Sequence, residues 1–113
     1  LENKPLTIYG DGQTSRDFTF IDDVIQANLL AALSEASNGF VVNIAFGDRC
    51  TLTDLAKIII KLTDSKSEII YEDERKGDVK HSLADLSLAR ELLSYNPEYN
   101  LKKGLERTIS FYK

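Results

Sequence analysis

The hydrophobic pattern of this chain switches repeatedly between a period of two and a period of 3.6, and that switching limits the available folds more than any other feature. Leu6-Thr7-Ile8-Tyr9 is rich in β-formers and stops at Gly10-Asp11-Gly12, a turn. Asp17-Phe18-Thr19-Phe20 alternates and predicts a short strand. Ile21, Val24, Ile25, Leu29, Ala32, Leu33 and Ala36 then fall on one helical stripe, with Asn28 inside it. Asn38-Gly39 is expected to end that helix through a left-handed residue beyond its last turn. Phe40-Val41-Val42-Asn43-Ile44-Ala45 is a near-continuous apolar run of strand length, which predicts a strand covered on both faces, as in a parallel sheet.

The second half continues in the same way. Thr51 and Asp54 form a capping-box-like start for a helix whose core face is Leu52, Leu55, Ala56, Ile59 and Ile60. Glu68-Ile69-Ile70-Tyr71 is a third clear strand, followed by the charged stretch Glu72 to Asp78. Asp85 is expected to cap a helix through Leu88, Ala89, Leu92 and Leu93, and Asn100 a last one carrying Leu101, Gly104, Leu105, Thr108, Ile109 and Tyr112. Strands alternating with helices give an α/β class. With only three or four short strands, sheet edges and faces stay uncovered, so part of the fold is expected to be missing or supplied by another segment or subunit.

Length and charge narrow the function classes. At 113 residues the expectation is one domain, 1–113. A net charge of −4 argues against broad electrostatic binding to nucleic acid or an anionic membrane. A lone cysteine, Cys50, excludes an internal disulfide and a multi-cysteine metal cluster. No apolar run approaches membrane-spanning length and no signal-peptide pattern opens the chain, so a cytoplasmic protein is expected. Opening at Leu1 rather than Met, the chain is expected to be a fragment of a longer one.

Several chemistry-like motifs lack the context they need. Gly10-Asp11-Gly12-Gln13-Thr14-Ser15 resembles a dinucleotide fingerprint, but an extended segment follows where a helix must begin. Tyr99 and Lys103 have the Tyr-x-x-x-Lys spacing of short-chain dehydrogenases, yet they straddle a helix start beside Pro97 and Asn100. His81, Ser82 and Asp85 lie too close in sequence for triad geometry. Asp22-Asp23 suits a helix start, and Glu72-Asp73-Glu74 a solvated loop. What remains is Arg16, after the glycine turn, and Arg75-Lys76-Gly77-Asp78, after the third strand. A guanidinium fork donates paired hydrogen bonds to phosphate oxygens, and a carboxylate accepts from sugar hydroxyls. Each arginine taken alone is equally at home in a surface ion pair, and composition does not separate the readings.

Four segments, in order, resemble a known family: Gly10 through Val24, Val42-Asn43-Ile44-Ala45-Phe46-Gly47, Arg75 through Asp85, and Leu92-Leu93-Ser94-Tyr95-Asn96-Pro97. The chain is similar to the C-terminal substrate-binding region of extended short-chain dehydrogenases, the NAD-dependent nucleotide-sugar epimerases and dehydratases. Its wording is nearest to UDP-N-acetylglucosamine 4-epimerases of surface-polysaccharide pathways. The resemblance implies that Arg16 and Arg75 bind the nucleotide diphosphate from opposite sides and that Asp78 holds a ribose hydroxyl. Thr7, Ile8 and Tyr9 would border the uracil through their backbone. Asn43 would lie near the nucleotide, its alternative being a buried amide satisfied by neighbouring backbone. Ser82 stands where some relatives carry a substrate-touching Tyr.

The resemblance further implies an enzyme in which NAD takes and returns the sugar's C4 hydride while a Tyr, helped by Lys, moves the hydroxyl proton. The Rossmann core and catalytic pair would lie in an N-terminal domain of about 200 residues, leaving this chain inactive by itself. Partners so implied are a UDP-sugar, that Rossmann domain and a second copy in a homodimer. The alternatives are the substrate domain of a 4,6-dehydratase or decarboxylase, and a non-catalytic binding or assembly module.

Overall fold

The structure, a computed structural model, describes residues 2–112. Four short strands and four α-helices alternate: β1 (Leu6–Tyr9), β2 (Ser15–Arg16), α1 (Ile21–Leu33), β3 (Cys50–Thr51), α2 (Leu52–Thr63), β4 (Ile69–Glu72), α3 (Ser87–Leu93) and α4 (Leu101–Tyr112). β1 pairs with β4 in parallel, from Leu6 opposite Ile69 to Tyr9 opposite Glu72. β2 pairs with β3 antiparallel, and Ser15 also bridges His81. The α/β class read from the sequence is what the chain adopts.

The residues cluster into two compact units, Leu1–Arg16, Arg49–Ser82 and Leu105–Lys113 in the first, Asp17–Asp48 and Leu83–Gly104 in the second. In the first, Ile8 is buried between its outward neighbours Thr7 and Tyr9, as strand alternation requires. α2 starts where Thr51 Oγ1 accepts from Asp54 N–H at 3.1 Å and donates to Asp54 Oδ2 at 2.8 Å. It ends at Asp64, in the left-handed region with φ +50°, where Ser65 N–H closes on Ile60 O at 3.0 Å. Gly12 tolerates no side chain. Its φ is +76°, and a Cβ would collide with Thr53 Oγ1 and sit 2.9 Å from Tyr71 Cε1.

The second unit has its own core of Ala27, Ala45, Leu86, Ala89, Leu93 and Tyr95. Tyr95 is 1% exposed and donates its hydroxyl to Ala45 O at 2.9 Å. Burial pushes its phenol up to about 12, with the Asp23 and Asp17 carboxylates acting in the same direction. Asp85 Oδ1 accepts from the Ser87 hydroxyl at 2.6 Å and from Ser87 N–H at 2.9 Å, an Asx turn one residue before the N-cap, which is Leu86 and not Asp85 as the sequence predicts. The Ser87 hydroxyl, then its N–H, then Arg90 hold the Asp85 carboxyl below the ordinary carboxylate range. Asn100 caps α4 by accepting from Lys103 N–H at 2.9 Å.

Three further sequence expectations need correction. The stripe from Ile21 stops at Leu33 rather than running to Ala36. Ser34 leaves helical backbone and donates to Leu92 O at 2.9 Å, and Ser37 Oγ donates to Ser34 O at 3.0 Å, giving a short 3₁₀ turn over Glu35–Ser37 instead. Residues 17–20 form no strand, because pairing stops at Arg16 and the Asp17 side chain binds backbone elsewhere. The Phe40–Ala45 run joins no ladder among the described residues. Ala45, Ile44 and Val42 reach the core, but Val41 is 91% exposed, since no strand of its unit lies beside it.

Candidate functional site

The first unit carries a cavity of about 330 Å³ lined by Leu6, Thr7, Ile8 and Tyr9 of β1, by Leu52, Leu55, Ala56 and Ile59 of α2, and by Arg75 and Asp78. Among the described residues β1 is hydrogen-bonded along one edge only, to β4, which leaves its other edge unpaired there. α2 supplies an apolar wall. The loop after β4 supplies the charges, and its course is set by short-range contacts. Gly10 N–H donates to Glu72 O at 2.8 Å, which fixes the strand end, and Asp78 N–H donates to Arg75 O at 3.3 Å. Gly77, at φ +82°, makes that turn.

Of the seven residues singled out in the sequence, Thr7, Ile8, Tyr9, Arg75 and Asp78 line this one cavity, although some 60 positions separate the two segments. The Arg75 guanidinium lies 3.9 Å over the Tyr9 ring. Arg16 stands one contact away, its Nη2 2.6 Å from Asp78 Oδ1. Its Nη1 donates to Ser15 O at 2.9 Å and Val79 O at 2.5 Å. Three of the five guanidinium donors are thus engaged, and two remain. The pair is part-exposed, so it contributes on the order of 0.5 kcal/mol and serves chiefly to aim the carboxylate. Residues 80–82 are tied along β2 by Ser15 N–H to Lys80 O at 2.8 Å and Ser82 N–H to Ser15 O at 3.1 Å. Asn43 belongs to the second unit, where its amide donates to Asp85 O at 3.4 Å.

Residues 1–108 match the family described as GDP-mannose 4,6 dehydratase. The chain belongs to that family. It is 35% identical over 111 residues to an uncharacterized UDP-glucose epimerase of Bacillus subtilis (strain 168), a match covering 98% of this chain and 35% of that protein. A solved UDP-N-acetylglucosamine 4-epimerase from Methanobrevibacter ruminantium, in complex with UDP-N-acetylmuramic acid, is similar at 37% identity and a TM-score of 0.88, over 96% of this chain and 34% of that one. The UDP-glucuronic acid 4-epimerase from Bacillus cereus, in complex with UDP-glucuronic acid and NAD, is similar at 34% identity and a TM-score of 0.89, over 99% and 37%. The chain spans about a third of the length of these relatives.

The similar Bacillus cereus epimerase was solved with NAD, but in this chain the glycine-rich turn does not open a helix as a dinucleotide fingerprint does. The Gly10–Gly12 turn, closed by Gln13 N–H on Asp11 Oδ1 at 2.9 Å, leads into β2, so no helix N-terminus faces it. Tyr99 precedes α4, and Lys103 Nζ lies 4.4 Å over its ring, a contact across the helix start. His81 pairs through Nδ1 with the buried Ser15 Oγ at 2.8 Å, and that bond anchors the loop. No group of three His, Cys, Asp or Glu side chains among the described residues could hold a metal. No helix among them is long and apolar enough to cross a membrane.

Two carboxylates escape sequence reading. Asp17 accepts from Phe46 N–H at 3.2 Å, Gly47 N–H at 3.1 Å and Ala84 N–H at 3.4 Å. Asp23 is 1% exposed and accepts from Glu98 N–H at 2.8 Å and Tyr99 N–H at 3.1 Å. Their partners lie 29 to 76 positions away, so no local signal marks them.

Proposed function

We propose that this chain is the nucleotide-sugar-binding part of an NAD-dependent UDP-hexose 4-epimerase of the UDP-glucose or UDP-N-acetylglucosamine type, and that it turns over no substrate by itself. The observation that carries the reading is the single cavity joining β1 to Arg75 and Asp78. The β1 backbone borders the uracil there, and an apolar base fits against Leu52, Leu55 and Ile59. Asp78 has one oxygen on Arg16 and offers the other to a ribose hydroxyl. Arg75 takes the diphosphate, and Arg16 adds its two remaining donors. Asn43 enters through the family resemblance alone.

The catalytic pair and NAD belong to a further N-terminal part of about 200 residues. NAD bound there supplies the redox chemistry; the residues here bind and orient the nucleotide. An open half-site is screened by water, so this chain alone binds UDP-sugars weakly or not detectably. The exposed stripe of α1, Ile21, Ile25, Leu29 and Leu33, is the surface that such a part, or a second copy in a homodimer, would cover. The enzyme so completed works in the cytoplasm on precursors of polysaccharides.

Reading the gene upstream tests the proposal most cheaply. An in-frame dinucleotide-binding segment ending in a Tyr-x-x-x-Lys helix supports it. A start codon directly before Leu1 favours a free-standing binding module instead. With the N-terminal part joined, conversion at C4 of UDP-glucose or UDP-N-acetylglucosamine is the expected activity. Elimination of water to a 4-keto-6-deoxy sugar would establish the dehydratase reading, which the family's own description favours.

A further inference from the structure

Among the described residues that line the cavity beside β1, Arg75 is the one cation, and its surroundings are unusual. Glu72, Asp73 and Glu74 precede it directly and Asp78 follows. Among the described residues its guanidinium nevertheless makes no ion pair and no hydrogen bond. Its partner is instead the Tyr9 ring, 3.9 Å from the guanidinium carbon. The backbone imposes this contact. Tyr9 closes the β1–β4 ladder opposite Glu72, and Gly10 N–H bonds to Glu72 O, so a loop leaving Glu72 passes over the ring within three residues. Alternation along β1 buries Ile8 and turns Tyr9 outward to meet it.

We propose that the Tyr9 side chain is a positioning residue for Arg75. This rests on the nucleotide reading of the cavity. It adds a role for the ring, where that reading uses only the Tyr9 backbone. Stacking a planar cation on a π face fixes its plane and occupies neither its donors nor its charge. A carboxylate partner would occupy both. The ring therefore restrains the guanidinium while its N–H edge stays available to two oxygens of one diphosphate. The hydroxyl takes no part, because the attraction comes from the ring face. Phenylalanine should serve, and an aliphatic side chain of similar size should not.

The test is an NMR titration of the 113-residue chain with UDP, reading the Arg75 side-chain resonances. Before ligand is added, these should show an upfield ring-current shift that survives in Tyr9→Phe and vanishes in Tyr9→Leu. Millimolar UDP should then move the Arg75 Nε–H signal. The apparent Kd should rise roughly three- to tenfold in Tyr9→Leu and stay within about twofold in Tyr9→Phe. Circular dichroism checks that both variants fold. Three results overturn the proposal, and they differ. If the wild-type chain shows no ring-current shift, the stack does not form in solution. If UDP weakens on Arg75→Ala but binds Tyr9→Leu and wild type alike, only the positioning role falls. If the shift is present but UDP leaves Arg75 unmoved even in the enzyme completed by its N-terminal part, the nucleotide reading falls, and this role with it.

Discussion

The two compact units leave different kinds of group unsatisfied. In the second, the Asp23 and Asp17 carboxylates and the Tyr95 hydroxyl are matched within the unit, while Gln26 Oε1 is buried without a partner among the described residues. Asp23 holds two N–H groups, Asp17 holds three, and the Tyr95 hydroxyl holds a carbonyl. What it leaves in water is apolar, four aliphatic side chains at intervals of four along α1, ending with Leu33 at 84% exposure. The first unit also exposes apolar side chains, Phe111 and Val79 among them, but it adds an open cation beside a cavity. Leu52, Leu55 and Ile59 are half-buried beside β1, while the Arg75 guanidinium keeps its donors open beside a cavity. An uncovered aliphatic row calls for more protein, because only close packing removes it from water. An unpaired guanidinium held in place calls for an anion.

Substitutions can break or sharpen this contrast. The largest effect is expected from Asp23→Ala, which removes a buried carboxylate from two part-buried N–H groups and should cost about 3 kcal/mol, read from the urea midpoint. Tyr95 comes next. Its folded pKa is raised, so the folded state binds more protons than the unfolded one between pH 10.0 and about 12, and stability falls with rising pH across that window. The loss should be on the order of 2 kcal/mol, absent below pH 10.0, and abolished in Tyr95→Phe, which itself costs about 1 kcal/mol at neutral pH. Urea midpoints measured across the alkaline range would show both. Arg75→Ala should weaken UDP binding roughly tenfold or more by calorimetry on the completed enzyme and leave the unfolding midpoint unmoved, the opposite pattern to Asp23. The smallest stability change, within about 0.5 kcal/mol, is expected for Leu29→Lys on the open face of α1. Its consequence should be association instead, with less self-association of the chain by analytical ultracentrifugation. Unchanged self-association would mean that the aliphatic row is not what copies stick by.

What sequence reading recovered was local. β1, β4, α2 and α4 have their period and their caps within a dozen residues, as with Thr51–Asp54 and Asn100–Lys103, and the structure agrees. It erred where the outcome depends on distant partners. Phe40–Ala45 has the composition of a central strand, but a strand is a pairing, and no ladder reaches it here. The stripe of α1 continues past Leu33, yet the Ser34 hydroxyl turns to Leu92 O in α3 and the Ser37 hydroxyl to Ser34 O. The site divides along the same line. Arg75 and Asp78 are visible as residue types that suit a nucleotide, and the family resemblance supplied Thr7 to Tyr9. The Tyr9–Arg75 stack and the Asp78–Arg16 pair depend on a parallel register between segments about 60 residues apart, which no window of sequence encodes.

Gly77 has one more consequence. A Cβ built there meets nothing within 4 Å, yet the backbone φ is +82°. The obstacle to a side chain is therefore handedness and not space. D-alanine, introduced by chemical ligation, would fit the turn without strain and restrict the unfolded chain, adding about 0.4–1 kcal/mol. A mirror-image residue would thus stiffen the hairpin bend that separates the guanidinium from the carboxylate while leaving both side chains untouched. Any change in nucleotide affinity would then report the mobility of the loop alone.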